Sequence, residues 1–383
     1  MSNYRWPLMQ SAIGDDEKQA LIDFVSSTDR FTNGPKVREF EAAWARWQGC
    51  EYALFVSSGS TANMMMLSLL NPGATVATPA CTWATNVSSM YQLGLRPVFY
   101  DIDRYTYSPT PESLVDLSRI QPDAIMVTHL MGLANDMNAI REALGDAVII
   151  EDCCESHGAT FDSRKVGNFG MASSFSFYYG HHMTTIEGGM ICTDDEWTYQ
   201  RLRAIRSHGM TREMDGHFRS DQEAANPHID PRFLFVEAGF NARNTEIGAV
   251  LGLTQLPKLD DFIRIRRLRY RRFLEILGQH PEHFDIPAYE GNSSMTLPIH
   301  CRDPELASRL KATLEESGIE TRPFLVGNLM VQPFVRSRSG QHMALDLPIT
   351  ERIHASSLYI GNSQFVTEDD MDYLEEVIAS VVS

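Results

Sequence analysis

Residues 148–159 read VIIEDCCESHGA, an apolar run of β-formers that ends in two carboxylates, a thiol pair and a glycine turn. The run predicts a strand that delivers Asp152 at its carboxyl end, the edge where open α/β sheets collect their ligands. Outward from it, β-rich runs recur at residues 53–57 (ALFVS), 74–80 (ATVATPA), 96–103 (RPVFYDID), 124–130 (AIMVTHL), 173–179 (SSFSFYY) and 189–193 (GMICT). Between them, residues 61–70, 84–94 and 111–120 carry apolar residues at helical spacing. Strands alternating with helices predict an α/β fold with a largely parallel sheet whose core ends near residue 193.

Beyond that point the pattern changes. Residues 197–235 are polar without clear periodicity and read as an excursion or an interface element. Residues 245–277 read as long helix broken around Pro257, with a basic run from Arg264 to Arg272 expected on a solvated or intersubunit face. The remainder (residues 293–301, 306–317, 318–324 and a final acidic helix) reads as a small α+β unit. The expected division is a large domain over residues 1–257 and a small one over 258–383.

Bulk properties narrow the partners. With 383 residues, 43% of them hydrophobic, the chain can fill real cores, and its formal charge of −17 argues against nucleic acid or an anionic membrane as partner. Anionic substrates need a local basic or amide-lined pocket. No run of about 18 apolar residues occurs, and the first residues, MSNYRWPLMQSAIGDDEKQ, lack a basic and apolar leader pattern, so a cytoplasmic protein is expected. Cysteines 50, 81, 153, 154, 192 and 301 show neither CxxC pairing nor cluster spacing and read as free thiols.

Three elements suggest a pocket. Residues 56–63, VSSGSTAN, run from strand into helix and place Gly59 and Ser60 at a helix N-terminus, which suits a phosphate, although a plain N-cap explains the serines as well. Asp152 suits a protonated ring nitrogen such as the pyridinium of pyridoxal phosphate (PLP), although a cap or ion pair is the ordinary use of such a carboxylate. Trp83 follows the strand at 74–80 and could stack on a flat ring or simply fill a core.

In chain order these elements resemble one family, the DegT/DnrJ/EryC1/StrS group of PLP-dependent nucleotide-sugar aminotransferases. The similarity extends over essentially the whole chain, through FTNGPKVREFEAAWA, SSGSTAN, PACTWATN, RPVFYDID, EDCCESHGA, GNFGMASSFSF, RSHGM and AGFNARNTEIGAVLGLTQLPKLD. The resemblance implies the type I aspartate-aminotransferase fold, a large domain with a mixed, mostly parallel sheet plus a small C-terminal α+β domain. It also implies PLP or pyridoxamine phosphate (PMP) as cofactor and a homodimer with shared active sites.

Two departures refine that expectation. Most members carry a lysine six residues before the Glu-Gly-Gly turn as the internal Schiff-base residue; here that position, in FSFYYGHHMTTIEGGM (residues 175–190), is His181. None of lysines 18, 36, 165, 258 and 311 lies in this stretch. Family aminotransferases also usually have Gln where Glu155 stands, near the cofactor's ring oxygen. Both changes are similar to the branch that removes the C3 hydroxyl of nucleotide-linked 4-keto-6-deoxy sugars, as is the pattern Thr321-Arg322-Pro323, Gly327-Asn328 and Gln332-Pro333. The cysteine set of its iron-sulfur members is not found.

The resemblance therefore implies a sugar 3-dehydratase, with GDP-4-keto-6-deoxy-D-mannose the expected substrate, L-glutamate regenerating PMP, and a route toward colitose. His181 is the expected proton-moving group. Gly59, Ser60 and Ser176 are expected at the phosphate, Trp83 on the ring face, Asp152 at the ring nitrogen and Glu155 near the ring oxygen. Asn241 is expected to reach the phosphate of the partner subunit's site, with Arg243 as a substrate contact and His208 at the partner's pocket or in a structural role. His182 is expected to be structural, pointing opposite to His181 in extended chain. A metal at the paired histidines is not expected, because strand neighbours diverge and no third ligand accompanies them. The competing readings are an aminotransferase that has lost its lysine, a dehydratase of another nucleotide sugar, and a noncatalytic PLP-binding regulator.

Overall fold

A computed structural model describes residues 5–382. Residues 1–4 and 383, on which the leader reading and the outer limits of the two domains fall, lie outside the described residues. The seven expected strands, joined by an unforeseen two-residue strand at Met343–Ala344, form an eight-stranded sheet in the order Tyr52–Val56, Gly189–Thr193, Ala172–Ser176, Val148–Asp152, Ala124–Thr128, Thr75–Pro79, Arg96–Tyr100 and Met343–Ala344. Every pairing from Ala172–Ser176 to Met343–Ala344 is parallel, and Gly189–Thr193 runs antiparallel to both of its neighbours. Helices cover both faces, so the central strands are buried throughout, which is why they read as nearly unbroken apolar runs.

A second sheet of four antiparallel strands follows the order Phe284–Asp285, Thr296–Cys301, Ser357–Gly361, Thr321–Pro323. Its core takes Leu306, Leu310, Leu374 and Ile378 from two covering helices, together with Trp6 from the other end of the chain. The long helix Leu259–Gly278 joins the two cores. Its Leu259 and Ile263 pack with the large sheet, and Tyr270, Phe273 and Ile276 pack with the small one. Around Pro257 a single 3-10 turn, Leu256–Lys258, separates this helix from Glu246–Gln255, as expected where a residue has no N–H to give.

Two expectations are corrected. The polar stretch 197–235 contains the helices Glu196–Arg206 and Gly216–Ala225. The first is started by the Asp195 carboxylate accepting from the Thr198 amide at 2.6 Å and held by Leu202, Ile205 and a Tyr52–Tyr199 ring stack; the second buries no residue, so neither shows an apolar stripe in the sequence. The strand expected over 173–179 stops at Ser176, because Gly180 to Met183 turn beneath the N-terminal segment; a Cβ on Gly180 would lie 2.3 Å from the Met9 sulfur. No helix among the described residues is long and apolar enough to cross a membrane.

Candidate active site

The carboxyl ends of four parallel strands open into one cavity of about 310 Å³. Thr128 and Asp152 end their strands there, Ser176 ends the third, and the turn after Pro79 brings Trp83. Seven expected residues line it together: Gly59, Ser60, Trp83, Asp152, Glu155, Ser176 and His181.

The floor of the cavity is an anion cup. The helix Gly59–Leu67 begins behind Ser58, whose hydroxyl accepts from the Thr61 amide at 3.1 Å. The amides of Gly59 and Ser60 stay free of partners among the described residues, and the Ser176 hydroxyl lies close beside Gly59. Only glycine fits at 59, because a Cβ there would lie 2.6 Å from the Cys154 sulfur and 2.7 Å from Ser176 Cβ. The Glu-Gly-Gly turn serves the same close approach, since a Cβ on Gly189 would meet the Ser58 carbonyl at 2.3 Å.

Asp152 is built to hold a cation in one orientation. Its Oδ2 accepts from Asn86 Nδ2 at 2.7 Å and Asn63 Nδ2 at 3.1 Å, and its Oδ1 accepts from the Cys154 amide at 3.0 Å. Ser174 Oγ donates to Asn63 Oδ1 at 2.5 Å and so fixes that amide with its NH₂ toward the carboxylate. The side chain is buried, and no cationic side chain among the described residues pairs with it. Its negative charge is therefore open to a cationic group that enters the cavity.

Above this sits Glu155, whose Oε2 accepts from the Met131 amide at 2.8 Å. Burial raises its carboxyl to about 7, the Met131 N–H pulls it back, and nearby Asp152 raises it further. Near neutral pH it can therefore donate or accept a hydrogen bond at a ring oxygen. Trp83 caps the next helix and keeps its indole half exposed on the cavity wall, so a ring face is available for stacking.

His181 faces the cavity with its Nδ1 buried and unpartnered. Burial lowers the imidazole to about 4, with Asp152 opposing and the buried Arg266 adding to the shift. A neutral imidazole beside a cavity is the form that can take up a proton. No lysine lines the cavity.

His182 turns the other way. Its Nε2 donates to the Ser293 carbonyl at 3.1 Å, which leaves Nδ1 to accept from His157 Nδ1 at 3.2 Å. Both of its nitrogens are satisfied. The pair diverges as expected, though through a turn and not a strand. Among the described residues the one cluster with metal-ligand atoms in reach is His129, Glu151 and Cys153, but Glu151 already accepts from the amides of Gly167, Phe169 and Gly170, each at 2.7 Å, as well as from His129.

Asn241, Arg243 and His208 do not join the cavity. They form their own cluster, in which Arg243 donates to Asn241 Oδ1 at 3.1 and 3.2 Å and its Nη2 lies 3.4 Å from His208 Nε2. Antiparallel bridges join Arg243 to Val56 and Asn241 to Ser207, so the cluster starts beside the strand that leads to the anion cup.

Several contributors had only weak sequence signals. Asn63 lies one helical turn after Gly59, and Ser174 lies two residues before Ser176 on the same strand face, spacings that could have marked both. Met131 offers its amide only because it adopts φ 56°, and Met9, Met295, Leu325 and Tyr359 reach the cavity from distant segments with no local signal.

The sequence profile of the DegT/DnrJ/EryC1/StrS aminotransferase family matches residues 12–381. The chain is 34% identical over 391 residues to GDP-4-keto-6-deoxy-D-mannose 3-dehydratase of Escherichia coli O55:H7 (strain CB9615 / EPEC), spanning 99% of this chain and 100% of that one. Among solved structures it is similar to GDP-4-keto-6-deoxymannose-3-dehydratase with a trapped PLP-glutamate geminal diamine, at a TM-score of 0.90 and 33% identity. A mutant of that dehydratase with bound GDP-perosamine matches equally well. Both matches cover 98% of this chain and 100% of the other.

Proposed function

The chain belongs to the DegT/DnrJ/EryC1/StrS aminotransferase family, and on that premise we propose that it is a PLP/PMP-dependent dehydratase. It removes the C3 hydroxyl of a GDP-linked 4-keto-6-deoxy sugar, GDP-4-keto-6-deoxy-D-mannose being the substrate of the relatives it resembles, and uses glutamate to restore the amine form of the cofactor. The observation that carries the reading is His181, an imidazole lining a cavity that no lysine lines.

In its amine form the cofactor supplies a primary amine for the sugar ketone and an electron sink for the neighbouring bonds. The protein residues divide the remaining work. Amides 59 and 60 with the Ser176 hydroxyl hold the phosphate, Trp83 covers one ring face, and Asp152 keeps the ring nitrogen protonated. Glu155 shares a proton with the ring oxygen. His181, neutral at the start, would accept on its own imidazole the proton given up by the carbon that bears the cofactor's amine, and pass it to the departing C3 hydroxyl, which leaves as water. Because imidazole cannot form the covalent link that a lysine amine forms, noncovalent contacts alone hold the cofactor, and no side-chain amine recaptures it. Water then hydrolyses the imine of the freed amino sugar, so that ammonia leaves and a 3-deoxy-4-keto sugar is released.

Asn241, Arg243 and His208 complete the site of a partner copy in a homodimer, which is why they gather outside their own cavity. The division at residue 257 into a cofactor-holding unit and a small C-terminal unit is part of the same proposal. The test is incubation with PLP, glutamate and GDP-4-keto-6-deoxymannose, followed by product analysis. Ammonia with a 3-deoxy product is expected, and a stable 4-amino sugar would reassign the chain to transamination.

A further inference from the structure

A second cavity, of about 380 Å³, opens between the hairpin that carries Lys165 and the long helix Leu259–Gly278, and shares no residue with the site above. Its polar walls are Lys165, Asp260, Arg264, Arg267, Arg271 and Tyr289.

The helix treats its arginines differently. Arg266 is buried and donates to the carbonyls of Met295 and Asn362. Arg269 meets Glu368, and Arg272 meets Glu375, both on the last helix. Arginines 264, 267 and 271 follow spacings of three and four and so share one face. Arg264 has Asp261 at 3.2 Å, an exposed pair. Arg271 has no acid among the described residues, only the Tyr289 hydroxyl at 2.9 Å and the face of that ring. Arg267 is half-buried, with neither a hydrogen bond nor an ion pair among the described residues.

Lys165 adds a fourth cation, held over the Trp47 ring at 3.7 Å and donating to the Trp47 carbonyl. The one carboxylate lining the cavity, Asp260, accepts from the Trp47 indole N–H at 2.9 Å and acts electrostatically on Lys165, which leaves Arg267 and Arg271 without an acid among the described residues. Four cations thus converge on one cavity of a molecule whose formal charge is −17. Like charges one helical turn apart repel, and an anion seated between them relieves that repulsion.

We propose that this cavity binds a small diphosphate-bearing anion. Arg267 and Arg271 stand one turn apart without acid partners, so a ligand must spread at least two charges to answer both. Guanidinium forks match phosphate oxygens, and the Trp47 and Tyr289 rings hold Lys165 and Arg271 in place by cation–π contact. A free diphosphate and a nucleoside diphosphate share this chemistry.

Trp47 provides the reporter. With the active site saturated in PLP, inorganic pyrophosphate should change tryptophan emission saturably. The change should vanish in Trp47→Phe, and the apparent Kd should rise at least tenfold in the Arg267→Ala/Arg271→Ala double variant. Arg267→Gln alone, expected to weaken binding several-fold, serves if the double variant does not fold. His181→Asn should bind pyrophosphate like the parent protein, so the outcome is independent of the dehydratase assignment. GDP binding tighter than pyrophosphate in this assay identifies a nucleoside diphosphate, and equal binding a free diphosphate. A response matched by sodium chloride at equal ionic strength, or an affinity untouched by the arginine variants, overturns the proposal.

Discussion

His181 and His182 are consecutive residues of the same chemistry placed in opposite circumstances. Both have pKa values pushed down by burial. What separates them is hydrogen bonding: His182 spends both nitrogens on Ser293 and His157, whereas His181 lines the cavity with its Nδ1 buried and without a close partner. Buried polar groups are nearly always paired, so an unpaired one beside a cavity marks the place where a ligand completes the protein. Burial and the direction of the pKa shift alone do not distinguish the two imidazoles.

The largest test of that contrast is His181→Asn. Turnover should fall by about 10²- to 10⁴-fold, the range of a lost general acid–base group, while absorbance titration still shows cofactor binding. Unimpaired turnover would remove His181 from the chemistry. A comparable contrast separates the cavity residues from Asn241, which lies outside. If sites are shared, Asn241→Ala and His181→Asn proteins, each nearly inactive, should regain activity when unfolded and refolded together, since one of the two sites in a mixed dimer is intact. No recovery in a verified mixed dimer would place Asn241 in its own subunit's chemistry.

His182→Ala should act on stability. It strands the Ser293 carbonyl and the His157 N–H, each an unsatisfied buried group, and should cost about 3 kcal/mol in denaturant unfolding. A variant as stable as the parent but catalytically dead would reverse the roles given to the two residues.

The smallest effect is a slope in pH. Histidines 157, 181 and 182 all have pKa values below the ordinary 6.5 in the fold, His181 at about 4. Between about pH 6.5 and 4 the unfolded chain therefore binds protons that the folded chain refuses, and stability falls as pH falls. Glu155, raised from 4.5 to about 7, has the opposite sign: its contribution is full below 4.5 and is lost as pH rises toward 7. Three histidines outweigh one carboxyl, so the cofactor-free protein should lose stability on acidification below pH 6.5. His182→Gln should flatten that loss in unfolding curves measured across the range.

Much of this architecture could be read along the chain. The buried strands announce themselves because residues covered on both faces must be apolar for several positions in a row, and Asp152 stands out because it breaks such a run at the end where ligands gather. The helices after residue 195 were hidden because a capping aspartate and a few contacts hold the first, and the second turns no apolar stripe to the core. The anchoring of Asp152 by Asn63, Asn86 and Ser174 was hidden for another reason. Those residues come from three separate segments, and nothing local in any of them says that the others will arrive.

The order of residues was sufficient to establish the strand–helix alternation, the absence of lysine from the segment before the Glu-Gly-Gly turn, and the imidazole in its place. These are properties of local composition, and they follow from periodicity and from what each side chain can bond to. Only the tertiary structure decided which of two adjacent histidines keeps a free nitrogen, which arginines of one helix find acids, and which glycines have backbone pressed against them. Each of those depends on atoms contributed by distant parts of the chain, and hydrogen-bond saturation and charge pairing exist only once those parts have met.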